Sequence, residues 1–159
     1  MRQFLKSAAK VSAVSAIACA LTFVSTLSVN AQTKKGLEGS YVGGSFQTGN
    51  GITTLGVYGR YDVRLLPISV RGSVNVSDFS GSTFVQIAPG VTYDLPISEK
   101  ANAYAGGGVV FGDAIATTVY LNAGAETELV QNVVAFGDLT VPLDNGADPT
   151  FSVGLGYKF

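Results

Sequence analysis

The last ten residues, Thr150 to Phe159, alternate without a break. Phe151, Val153, Leu155, Tyr157 and Phe159 share one parity, and Ser152, Gly154, Gly156 and Lys158 the other. A period of two is the signature of a strand with two unlike faces, so this segment predicts a β-strand that is greasy on one side and small or polar on the other. The same split recurs upstream. Leu55, Val57, Tyr61 and Val63 oppose Thr54, Gly56, Tyr58, Arg60 and Asp62; Ile68, Val70, Val74 and Val76 oppose Ser69, Arg71, Ser73 and Asn75; Val85, Ile87, Val91, Tyr93 and Leu95 oppose Gln86, Gly90, Thr92 and Asp94.

Turn chemistry cuts this pattern into eight runs: Glu38 to Phe46, Ile52 to Val63, Ile68 to Val76, Thr83 to Leu95, Ala101 to Phe111, Thr117 to Glu128, Val133 to Leu143 and Thr150 to Phe159. The separators are Thr48-Gly49-Asn50-Gly51, Asp78-Phe79-Ser80-Gly81 and Asp144 to Pro149, with Pro67 and Pro96 beside strand ends. The expected fold class is all-β, an eight-stranded antiparallel up-and-down barrel.

Composition decides which face turns outward. Charged residues make up 13% of the chain, against 47% hydrophobic residues and 20 glycines. A soluble barrel would show water its polar face, yet that face carries glycine and isolated charges and too few Lys or Glu to solvate an exterior. With the greasy face outward, strands of about ten residues span a bilayer, and closure leaves no unpaired edge in hydrocarbon. A soluble periplasmic lipocalin-like binder with the faces inverted is the alternative for the same pattern.

The N-terminus carries an address. Arg2, Lys6 and Lys10 precede an uncharged stretch from Val11 to Val29, and Val29-Asn30-Ala31 suits signal-peptide cleavage, so residues 1–31 are expected to be a signal peptide and 32–159 the barrel domain. A lipoprotein cut at Cys19 and an uncleaved anchor are the other readings. Cleavage after Ala31 removes the single cysteine and leaves an exported chain with no disulfide.

Function classes fall away on simple counts. The sequence contains no histidine, which excludes Ser-His-Asp, Cys-His and His-metal chemistry within this chain. A pI near 5.2 gives no basic footprint for nucleic acid. Glu126 and Glu128 share a strand face, but two acids at that spacing are common on sheets, and Ala105-Gly106-Gly107-Gly108 lacks the Lys-Ser/Thr that a phosphate loop needs. No catalytic, metal or cofactor site is expected.

The charges instead fall on the inward set: Glu38, Arg60, Asp62, Arg71, Asp94, Glu126, Asp138 and Lys158 are expected to form a lumen network, with Tyr58, Tyr104 and Tyr120 beside them and Lys158 meeting Glu38 near the rim. Inward glycines, Gly44, Gly56, Gly90, Gly106, Gly108, Gly124, Gly154 and Gly156, leave room for a second reading, a narrow pathway for ions or small solutes. On the outer face, Tyr41, Tyr61, Tyr93, Tyr157 and Phe159 gather near the end that holds both termini, as an interfacial aromatic girdle does.

From Leu37 to Phe159 the chain resembles the small eight-stranded outer-membrane barrels of Gram-negative bacteria, of the OmpA/OmpX and attachment-or-opacity type. The most specific element is the final strand. Phe151, Val153, Leu155, Tyr157 and Phe159 look like the terminal signal such proteins present to the barrel-assembly machinery. The resemblance implies residence in the outer membrane among lipid and lipopolysaccharide, periplasmic chaperones during biogenesis, a monomer, and a structural or surface-interaction role without enzymatic activity. Barrel enzymes of comparable size use a histidine, which this chain lacks. A minimal porin, with selectivity set by Arg60, Arg71, Asp62, Asp94, Glu126 and Lys158, is the competing function. The connections opposite the termini are short, unlike the long loops of the adhesive members.

Overall fold

The computed structural model describes residues 36–159 apart from 50, 51, 64, 65, 80, 81, 114 and 145–147. The expected signal peptide and residues 32–35 lie outside the described residues. Eight strands follow in order: β1 (Tyr41–Gly49), β2 (Ile52–Asp62), β3 (Ile68–Phe79), β4 (Ser82–Ser98), β5 (Ala101–Gly112), β6 (Ile115–Val130), β7 (Val133–Pro142) and β8 (Thr150–Lys158). Each pairs antiparallel with its neighbour, and β1 pairs with β8, so the sheet closes into a barrel. All eight sequence runs become strands. β4 and β6 are longer than the alternation predicted, at 17 and 16 residues, and they carry the two tight hairpins around Glu99-Lys100 and Gln131-Asn132. Asn132 takes the left-handed conformation (φ 63°) that this turn requires and asparagine tolerates.

The strands are tilted. The hydrogen-bonded rung that begins at Asp62 on β2 runs through Ser69, Thr92, Gly106, Asn122 and Thr140. It therefore passes from the mouth beside the chain ends to the opposite half of the lumen, as the stagger of a closed barrel demands. The ladder between β4 and β5 skips Ala88 and Pro89, where proline has no N–H to donate.

Apolar side chains point out. On β8, Phe151, Val153, Leu155 and Tyr157 are all exposed while Ser152 is buried, and Val57, Val70, Val74, Val91 and Val119 are likewise exposed on their strands. Burial lies inside the barrel, where Leu37, Tyr41, Tyr58, Val134 and Phe136 form one cluster.

The first strand corrects the sequence reading. Tyr41 was expected on the outer girdle and Gly44 in the lumen, but Tyr41 is 1% exposed inside the barrel and Gly44 faces outward, between Val57 and Leu155. The strand begins three residues later than Glu38, because Gly39 takes φ 100° and breaks the extended run. Residues 36–39 turn into the mouth instead of pairing, and Ser40 keeps one ladder bond, accepting from the Phe159 N–H at 3.0 Å. The phase of β1 was legible in Val42 and Phe46, both exposed apolar residues of the other parity.

That reassignment gives a paired prediction. A Cβ on inward Gly154 would overlap the Gly44 carbonyl oxygen and the Phe136 ring, whereas one on Gly44 meets open space. Gly154→Val should destabilise the barrel by about 1–3 kcal/mol through overpacking, and Gly44→Ala should be nearly neutral. Urea unfolding of the two variants in lipid vesicles checks the pair; equal losses would reverse the faces assigned to β1.

Candidate functional site: a layered lumen

From the mouth beside the termini inward, the lumen is filled in layers. The first layer is the segment Leu37 to Ser40. Leu37 donates its N–H to Asn102 Oδ1 at 3.0 Å and accepts from Asn102 Nδ2 at 2.9 Å, a two-way clasp that holds it across the opening. Arg60 Nη1 donates to the carbonyls of Leu37 (3.2 Å) and Gly39 (2.8 Å), and the Gly39 N–H donates to Asp62 Oδ2 at 3.0 Å. These bonds satisfy a stretch of backbone that has left the sheet.

Next comes a four-charge cluster from four strands. Arg60 on β2 lies 2.8 Å from Asp94 and 3.3 Å from Glu126; Arg71 on β3 lies 3.0 Å from Asp94 and 2.8 Å from Glu126. Each guanidinium thus touches both carboxylates, and two positive charges meet two negative ones. All four side chains are at most 9% exposed. Neutral groups complete the cluster. Ser69 hydrogen-bonds both Arg60 and Asp94, Thr92 accepts from Arg71 at 2.7 Å, and Tyr41 and Asn102 donate to Glu126 at 2.9 and 3.1 Å. Buried charge is tolerated only when paired and fully hydrogen-bonded, and no buried side-chain N or O among the described residues lacks a partner.

Aromatic rings cover this cluster. Tyr58 stacks on Phe136 with centroids 4.4 Å apart, Tyr41 packs against Phe136 at 5.8 Å, and the Arg71 guanidinium sits 3.6 Å over the Tyr104 ring. Beyond the rings the barrel opens into a cavity of about 300 Å³ that reaches Asp144 and Asp148 at the far end. Its wall is mostly hydroxyls and amides, with one buried acid, Asp138 on β7.

The eight expected lumen charges therefore separate. Arg60, Arg71, Asp94 and Glu126 come together, while Asp138 lies past the rings, linked to the cluster through Tyr104, whose hydroxyl donates to Asp138 at 3.3 Å. Asp62 stays at the rim with Gly39. Lys158 takes Glu128 as a carboxylate partner at 2.5 Å, because the β6–β7 hairpin brings Glu128 alongside the end of β8. Glu38 is exposed. Of the girdle residues, Tyr61, Tyr93, Tyr157 and Phe159 are exposed on the outer face, and Tyr41 is the exception already described. Tyr58, Tyr104 and Tyr120 are buried inward.

Sequence reasoning missed Asn102, Leu37 and Phe136. Asn102 is one polar residue in an otherwise small, apolar run on β5, a weak signal of an inward position. Phe136 was legible only through the parity of Asp138, two residues on, since Val133-Val134-Ala135-Phe136 is apolar at both parities.

No protein-family model and no curated protein sequence matches the chain. Solved structures do match. Yersinia pestis Ail, determined in a phospholipid bilayer nanodisc, is 17% identical with a TM-score of 0.57, over 77% of this chain and 100% of that one. The N-terminal barrel domain of Pseudomonas aeruginosa OprF is 12% identical with a TM-score of 0.61, over 79% and 100%. This chain has the fold of the small eight-stranded outer-membrane barrels. A de novo designed barrel, TMB2.3, shares it too, at 13% identity and a TM-score of 0.60, over 80% and 98%. That a designed protein has the same fold shows how little the fold alone says about role.

Proposed function

We propose that this chain is an exported, non-enzymatic integral protein of the Gram-negative outer membrane whose barrel is sealed, serving envelope structure or surface interaction and not passage of solutes. The single observation that carries the reading is the closed stack across the lumen. The Leu37 clasp, the four-charge cluster and the Tyr58–Phe136 pair lie one behind another, and Leu37, Arg60, Arg71, Glu126 and Phe136 are each at most 5% exposed. An ion crossing this stack would have to displace paired charges whose separation in a low-dielectric wall is costly.

The outward face supports a membrane-embedded barrel over a soluble lipocalin-like one. Phe46, Leu55, Val57, Leu155 and Phe159 are all more than half exposed, a continuous apolar exterior that water would penalise. The termini and the Tyr61, Tyr93 and Tyr157 girdle belong at the periplasmic side, the short connections outside, and the signal peptide is removed after Ala31 on export. The chain works as a monomer, and the alternating residues of β8 engage the assembly machinery.

Planar-bilayer recording tests the sealed reading against the porin reading. The membrane-inserted product of the full chain, first shown to run as a heat-modifiable folded band, is expected to give no discrete current steps under voltage. Steps whose size changes with Arg60→Ala or Asp94→Asn would make the lumen a pore and overturn the proposal.

A further inference from the structure

The cavity on the far side of the aromatic layer has a feature the sealed barrel does not need. Arg60 and Arg71 are fully used by Asp94 and Glu126, and Arg71 is the only cation among the described residues that line the cavity. Each of its nitrogens already donates elsewhere: Nε to Thr92, Nη1 to Glu126 and Tyr58, Nη2 to Asp94. Asp138 is an acid 4% exposed at the cavity wall, within the field of Arg71 but with no salt bridge among the described residues. Tyr104 donates to its Oδ2 and Thr140 to its Oδ1, both at 3.3 Å, and Ser152 is a third hydrogen-bond partner. A buried acid held by neutral hydroxyls alone, without a direct ion pair, beside an open volume is a site for a positive ligand.

The surroundings define which cation. Ser152 stands directly across from Asp138 on β8, and Asn122 across from Thr140 on β6, so neutral oxygen acceptors flank a single carboxylate. That set suits the three N–H donors of an ammonium group; a divalent metal would want several carboxylates. The rings of Tyr58 and Tyr120 line the same cavity and offer an apolar wall to a short alkyl chain. Asp144 and Asp148 add negative charge at the mouth, which draws cations inward. We infer that this cavity is a blind binding site for a small alkylammonium ion, its charged head on Asp138 and its chain against Tyr58 and Tyr120. The site is independent of whether the lumen conducts, so a pore and a failed ligand site give different results.

Isothermal titration calorimetry on the protein in nanodiscs of zwitterionic lipid, with empty nanodiscs as the blank, tests this. n-Butylammonium chloride is the probe and n-butanol its neutral counterpart. Wild type should bind the ammonium at one site and n-butanol at least tenfold more weakly. Asp138→Asn should weaken ammonium binding at least tenfold. If that variant fails to fold, Ser73→Phe, which adds a ring at a cavity-lining position on β3 and leaves Asp138 in place, should abolish binding. No binding by wild type, equal binding of the alcohol, undiminished binding by folded Asp138→Asn, or retained binding by Ser73→Phe would each overturn the inference.

Discussion

Glu126→Ala is expected to cost the barrel about 3–5 kcal/mol, because it removes one partner of a buried ion cluster and leaves the other charged groups in place. Glu126 is 2% exposed, and its two oxygens accept from Asn102 at Oε1 and from Tyr41 and Arg71 at Oε2, with Arg60 Nε 3.3 Å from Oε1 as an ion-pair contact. Without it, two guanidiniums share the single carboxylate of Asp94, and the Tyr41 hydroxyl loses its acceptor. Removing both charges of a contact should cost less than the sum of the single changes. Arg71→Met with Glu126→Leu leaves Arg60 opposite Asp94, one pair with its charges balanced, and apolar volume replaces the rest. Urea titrations of Glu126→Ala, of Arg71→Met and Glu126→Leu singly and of the double variant, in vesicles and followed by the heat-modifiable band, measure the difference. A Glu126→Ala loss below about 1 kcal/mol would mean that water, and not protein, compensates these charges.

The second large effect lies on the other face. Leu155 sits mid-strand on β8, 57% exposed, with Gly44 and Ala135 as its neighbours across the ladder. Leu155→Arg places a guanidinium where the proposed bilayer is thickest, and should cost about 2–4 kcal/mol; Val153→Arg should behave alike. Tyr157→Arg, two residues nearer the rim, should cost only about 0–1 kcal/mol, since arginine reaches the headgroups there. This depth dependence separates lipid from water. If all three variants fold with equal stability, the exterior is aqueous and the membrane reading fails.

Much of the molecule could be read along the chain, because a strand's two faces are written at spacing two, and the parity of Arg60, Arg71, Asp94 and Glu126 placed all four inward without any knowledge of what they meet. The alternation on β8 did the same for the outer face. Where parity was ambiguous, reading faltered. Tyr41 shares its type with the girdle residues Tyr61 and Tyr157, and only the neighbours Val42 and Phe46 show that it belongs inside.

The sequence by itself determined the strands, the faces of all of them but β1, and the burial of Arg60, Arg71, Asp94, Glu126 and Asp138, since each follows from local period and from the scarcity of polar residues able to cover an exterior. The tertiary structure alone decided the partners. Closure and stagger bring β2, β3, β4 and β6 to one point, so that Arg60 and Arg71 share Asp94 and Glu126, set Lys158 against Glu128, and leave Asp138 beyond the rings with neutral hydroxyl partners and no salt bridge among the described residues. Which side chains meet across a barrel depends on the tilt of every strand around the ring, a property of the closed sheet that no single strand's pattern contains.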